Sequence, residues 1–91
     1  MQNFASWMTT ALTFSKIAYG KGLDFWTGYM RGLRRLHHGQ AFSTEEEHGL
    51  FLNIPEDDPD PTRRATGEGY RAGFAGIDPA ELIKEPRKDR Q

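Results

Sequence analysis

Along the chain, stretches with an apolar side chain every three or four residues alternate with short interruptions rich in glycine or proline. Residues three and four apart share one face of an α-helix, so this spacing predicts amphipathic helices. The first runs from Phe4 to Tyr19, with Phe4, Trp7, Met8, Ala11, Leu12, Ser15 and Ala18 on one side. Gly20 and Gly22 are expected to end it. The second is FWTGYMRGLRRLHHG, Phe25 to Gly39, with Asp24 as its N-cap and Gly39 just past its end. Turning 100° per residue from Trp26 sorts this mixture into three faces. Trp26, Tyr29, Met30, Leu33, Leu36 and His37 form an apolar stripe about 120° wide. Thr27, Arg31, Arg34, Arg35 and His38 lie roughly opposite, and Gly28 and Gly32 make a smooth flank.

A third, shorter helix opens at Ser43, which with Glu46 has the spacing of a capping box. Glu45 to Glu47 suit the positive end of a helix dipole, and Leu50, Phe51 and Ile54 are expected to form its buried side. Pro55 stops it, and PEDDPDP follows as an acidic loop without core residues, expected to be mobile. Asp60 and Pro61 read as the start of a fourth helix reaching about Ala75. It carries Ala65, Gly69, Ala72, Gly73 and Gly76 on one small-residue face, bordered by Tyr70 and Phe74. Asp78-Pro79-Ala80-Glu81 starts a last short helix to about Lys84. Residues 85–91 are expected to form a flexible tail, which leaves 1–84 as one domain. No stretch alternates with period two, and valine is absent, so strands are not expected. The expected fold is all-α: a compact small bundle of three main helices plus one or two short ones. The second helix is central and touches the first and fourth. The expected core is Trp7, Met8, Trp26, Tyr29, Met30, Leu33, Leu36, Phe51, Tyr70 and Phe74.

Size and charge narrow the functions. A chain of 91 residues hides only about 60–65% of the surface its unfolded form exposes, so its expected stability is modest and leaves room for a contribution from a partner subunit. The formal net charge of −1 argues against a strongly basic nucleic-acid binder. Without cysteine there is no disulfide framework or thiolate metal site, which fits a cytoplasmic protein. Residues 1–15 carry no charge, but a leader's basic segment is missing and Thr9, Thr10, Thr13 and Ser15 interrupt the apolar run. No run approaches the roughly 18–20 apolar residues of a membrane span, so no membrane partner is expected.

The phrases GYMRGL, Gly28 to Leu33, and GYRAGF, Gly69 to Phe74, share the form Gly-Tyr-x-x-Gly-apolar. Glycines four apart let a second helix approach closely. A tight crossing of helices two and four is the favoured explanation. A docking edge for another chain is the alternative, and it places Gly69 and Gly73 among the candidate binding residues.

Candidates for chemistry are few. Glu45-x-x-His48 has the spacing of one half of a di-iron site, but a bundle site needs a second such pair and further carboxylates. His37 and His38 suit the negative end of a helix dipole. No Gly-x-Ser-x-Gly elbow or Walker loop occurs, and Gly67-x-Gly69 follows no strand. No catalytic residue, metal or cofactor is therefore expected. The strongest feature is the basic back of helix two, where Arg31, Arg34, Arg35 and His38 fall at i, i+3, i+4 and i+7. Such a row pairs with carboxylates of a partner, tracks phosphates, or is neutralised internally by Glu45–Glu47 or the EDDPD loop.

HGQAFSTEEEHGLFLNI followed by GEGYRAGFAG resembles small accessory proteins carried by bacterial mobile elements, over Gly28 to Gly76. The resemblance implies a host-interaction or element-control role of the kind played by anti-defence proteins and small regulators. It assigns no functional residue. The expectation is a non-enzymatic protein that binds another protein, a second copy of itself included. The alternative is a nucleic-acid-binding regulator using Arg31, Arg34 and Arg35.

Overall fold

The computed structural model describes residues 3–83. Its helices are α1 (Phe4–Ile17), α2 (Leu23–His38), α3 (Glu45–Leu52), α4 (Pro61–Phe74) and α5 (Pro79–Leu82), with a 3-10 turn at Gly39–Ala41. No strand occurs among the described residues, so the protein is a small all-α bundle. Lys84 and the expected tail lie outside the described residues.

Local chemistry accounts for most helix ends. Asp60 caps α4 by accepting from the Thr62 N–H at 2.9 Å, with Pro61 at the first helical position. Asp78 caps α5 in the same way through Ala80. Beyond α4, Gly76 takes φ +75°, a left-handed conformation that costs glycine nothing. Three ends differ from expectation. α1 stops at Ile17 because Ala18 turns left-handed (φ 51°) and the Tyr19 N–H folds back to the Phe14 carbonyl. α2 begins after Gly22, which leaves Asp24 in the first turn, where its charge suits the dipole without capping. Thr44, not Ser43, caps α3: its hydroxyl accepts from the Glu47 N–H at 3.0 Å. The PEDDPDP loop is tied down rather than free. The Asp58 carboxylate accepts from the Asp60 N–H and from Arg63, and the Asp58 carbonyl accepts from Arg64 at 2.6 Å.

α2 is the centre of the molecule, contacting α1 on one side and α4 on the other, while α3 packs on α4 and α5 on α1. Trp26, Tyr29, Leu33 and Tyr70 are fully buried as expected. Trp26 sits among Phe14, Phe25 and Tyr29 and donates its indole N–H to the Tyr19 carbonyl at 3.1 Å. The Tyr29 hydroxyl donates to the Ile77 carbonyl at 2.6 Å. Ala11 and Phe25 join this core, although the expected core holds neither, and Ile54 is buried as expected although α3 ends before it. Trp7, Met8, Met30 and Leu36 pack against the core but stay partly exposed, and Phe51 and Phe74 are half-buried.

The repeated Gly-Tyr-x-x-Gly phrase is the α2–α4 crossing. A Cβ at Gly28 would strike the Thr66 carbonyl, and at Gly32 the Tyr70 carbonyl and the Phe74 nitrogen. From the other side, Gly69 faces Phe25 and Tyr29, and Gly73 faces Tyr29 and Leu33, in the same backbone-to-backbone way. Partners advance together along both helices, so α2 and α4 run parallel where they cross. The contacts also exchange under an approximate two-fold: the shift that carries Gly28 onto Gly69 carries Gly32 onto Gly73 and Phe4, first in α1, onto Glu45, first in α3. Two helical pairs, α1–α2 and α3–α4, are thus joined through their glycines. Each helical glycine costs about 1 kcal/mol against alanine, and the close backbone approach offsets that cost.

Candidate functional site

The continuous α2 helix carries the four basic residues singled out from the sequence, but their environments differ. Arg35 is buried, at 6% exposure. Its guanidinium donates to the Glu45 carboxylate at 2.9 Å and to the Thr44 carbonyl at 3.2 Å. Arg31 lies over the Phe51 ring and 3.7 Å from the Glu47 carboxylate. Arg34 is exposed, and exposed His38 meets the edge of the Phe4 ring. The row of cations is therefore divided: the acidic start of α3 engages two arginines and leaves Arg34 and His38 outside. Gly69 and Gly73 are buried against the α2 backbone and present no edge to another chain. Glu45 and His48 do not converge as ligands, since Glu45 serves Arg35 and His48 serves Tyr70. Among the described residues no three His, Asp or Glu side chains form a metal-sized cluster.

α3 is the element that reorganises this surface. None of its residues is fully buried. It is held to α4 by aromatic contacts: Phe51 stacks on Tyr70, His48 packs on Phe74, and His48 Nδ1 lies 2.7 Å from the Tyr70 hydroxyl. Burial first, against the opposing pull of Arg35 and Arg31, pushes the Tyr70 phenol above its usual range. The protonated phenol can donate to Nδ1 or accept from it, according to the imidazole tautomer. The buried Ser43 hydroxyl faces the same phenol without a hydrogen bond of good geometry.

Leu50, expected to point inward, is 70% exposed. Beside it opens a notch of about 310 Å³ lined by Glu47, Leu50, Phe51, Ile54 and Arg63. Three apolar side chains line it together with one carboxylate and one guanidinium, the mixture of a protein–protein contact in miniature. A larger groove of about 420 Å³ is lined by Glu56, Arg64, Glu68 and Arg71. Its charges balance, and Arg64 and Arg71 already donate to the carbonyls of Asp58 and Ile54 at 2.6 Å each. The α3 notch is the better candidate because its apolar atoms gain from being covered.

The α3 contacts set a pH dependence. A hydrogen bond from Gln40, then the Arg35 guanidinium, hold the Glu45 carboxyl below its usual range. The Asp60 N–H, then Arg63, do the same for Asp58. A folded pKa below the unfolded one contributes stability that is present above the unfolded value and lost as pH falls through the folded value. Tyr29 and Tyr70 are raised by burial, so their contribution is lost as pH rises through their folded values. Melting temperature is expected to show a neutral plateau with an acid and an alkaline limb. Glu45→Gln and Asp58→Asn should each flatten the acid limb, and an unchanged acid limb in both would show that these bonds do not form in solution.

Comparison of the chain with protein-family models, curated proteins and solved structures returned no significant match. The fold and this surface define a small all-α protein with an exposed apolar notch on a lightly held helix. Sequence reasoning places Leu50 and Phe51 on a buried side and does not select Glu47 or Arg63. One signal was available: Leu50-Phe51-Leu52 are consecutive, and at 100° steps they splay over roughly 200° of the helix surface. A helix of eight residues packed on one neighbour cannot bury all three.

Proposed function

We propose that this is a non-enzymatic protein that binds another protein through the α3 notch. The observation that carries this is Leu50, a large apolar side chain at 70% exposure beside a recess floored by Phe51 and Ile54. In protein interfaces binding energy concentrates where central side chains fill desolvated recesses inside a polar rim. Arg31, from the basic row, contributes by lying over the Phe51 ring, 4.9 Å from its centre. Nucleic-acid binding has less support, because Glu45 and Glu47 compete with phosphates for two of the three arginines. The accessory role implied by the mobile-element resemblance would place the partner in the host or in the element itself.

A photo-crosslinking residue at position 50, compared with one at exposed Thr27 on α2, tests this in the native host. A discrete crosslinked protein is expected from position 50 and not from position 27. Crosslinks of equal yield from both, or none from either, would remove the proposal. Leu50→Glu should change stability by less than about 0.5 kcal/mol, as exposed substitutions do.

A further inference from the structure

We infer that the occupant of the α3 notch is a second copy of this chain, docked across a two-fold axis passing beside Leu50. This deepens the docking proposal above and rests on it. The first reason is the order of groups along the notch. Glu47 stands in the first turn of α3, Leu50 and Phe51 near its C-terminal end, and Ile54 beyond that end, with Arg63 of α4 lining the same notch. A two-fold axis perpendicular to α3 lays the second α3 antiparallel to the first. Glu47 of each copy then meets Arg63 of the other, and Leu50 of each meets the recess of the other. Both charge pairs are attractive, and both apolar anchors are covered.

The second reason is that protrusion and recess occupy one patch. A two-fold interface uses the same surface on both partners, so it needs a patch that complements itself. An unrelated partner needs only one half of that pattern. The third is that the rim groups can re-pair. Glu47 is 3.7 Å from Arg31 with its side chain 45% exposed, and the Arg63 side chain, paired with Asp58, is 56% exposed. The Glu47–Arg31 pair, exposed on both sides, is weakly held, and if Arg63 turns to the second copy, Asp58, 12% exposed, keeps its bond from the Asp60 N–H. A net charge of −1 puts little repulsion between copies. One short helix per copy covers less than a standard interface, so the dimer is expected to dissociate at roughly tens of micromolar.

Sedimentation from about 1 μM to about 1 mM, spanning that affinity, tests the geometry as well as the stoichiometry. Wild type should pass from monomer to dimer, and Leu50→Glu should stay monomeric with unchanged helicity and melting temperature. Glu47→Arg alone sets two guanidinium groups against each other at each end of the interface, and Arg63→Glu alone sets two carboxylates against each other. Each should weaken self-association at least about tenfold, the effect of 1.4 kcal/mol. An equimolar mixture of the two variants should recover association at both ends, since the mixed dimer pairs the two introduced charges at one end and the native Arg63 and Glu47 at the other, and a chain carrying both substitutions should recover it as well with the charges exchanged. A wild type that is monomeric throughout, or a double variant that associates no more strongly than either single one, overturns the inference. If the wild type is monomeric but position 50 crosslinks to a different protein, the self-association falls and the docking proposal stands. If position 50 captures nothing as well, both fall.

Discussion

Gly73→Ala lowers stability by about 1–3 kcal/mol, the usual penalty of overpacking, and Gly73→Val by about 4 kcal/mol or more. The first is an unusual expectation, because alanine is favoured over glycine by about 1 kcal/mol in a helix interior. The sign reverses here because of what stands opposite. A Cβ at Gly73 falls closer than 3.0 Å to the Tyr29 carbonyl carbon and the Leu33 nitrogen, which are backbone atoms of a continuous helix. They cannot rotate away as a side chain does, so α2 and α4 must separate. Separation opens gaps around Tyr29, Leu33 and Tyr70, all fully buried. Against a total stability of roughly 5–14 kcal/mol for a chain of this length, the valine variant is expected to be largely unfolded. Gly49→Ala is the control, since its Cβ would meet only the Asn53 side chain at 3.9 Å. It should stabilise by up to about 1 kcal/mol. Urea denaturation of the three variants checks the set. A Gly73→Ala protein more stable than wild type would mean that the helices do not cross through these glycines.

Tyr70→Ala should cost about 3–5 kcal/mol, as removal of a large buried aromatic ring does. Its further consequence is specific to α3. Tyr70 provides the ring on which Phe51 stacks and the hydroxyl that meets His48. Without it, α3 keeps the bonds of its first turn to Arg35 and the His48–Phe74 contact, and the notch loses its floor. Tyr70→Phe separates the two roles. It retains the stack and gives up one hydrogen bond, worth about 1 kcal/mol. Hydrogen exchange should show α3 amides losing protection far more than α2 amides in Tyr70→Ala, and nearly wild-type protection in Tyr70→Phe. Self-association should follow the same order. Equal loss across α2 and α3 in both variants would mean that α3 is not held separately from the rest.

How far the residues alone carry the fold depends on how local the cause is. The caps at Asp60 and Asp78, the proline starts and the apolar stripe of α2 are properties of neighbouring residues, and they are legible without tertiary structure. Ser43 and Thr44 are adjacent hydroxyls with similar capping chemistry, and their choice turns on which one the chain buries: Ser43 is 9% exposed. Projection of a single helix places Arg35 on a solvent face because it cannot include α3, which lies over it. It places Leu50 inside for the complementary reason. An apolar residue on a short helix faces inward only if a second layer exists on that side, and none of the described residues forms one here.

The residues by themselves determined the all-α class, the course of α2 and α4, and the repeated glycines that let two helices approach. Those outcomes follow from spacing, capping and the missing Cβ, which act over one to four residues. Tertiary structure alone decided that the glycine edges meet each other, that α3 takes two of the arginines, and that Leu50 stands in solvent. Each is a contest between segments far apart in the chain for the same surface, and its result depends on which contacts fit together in space.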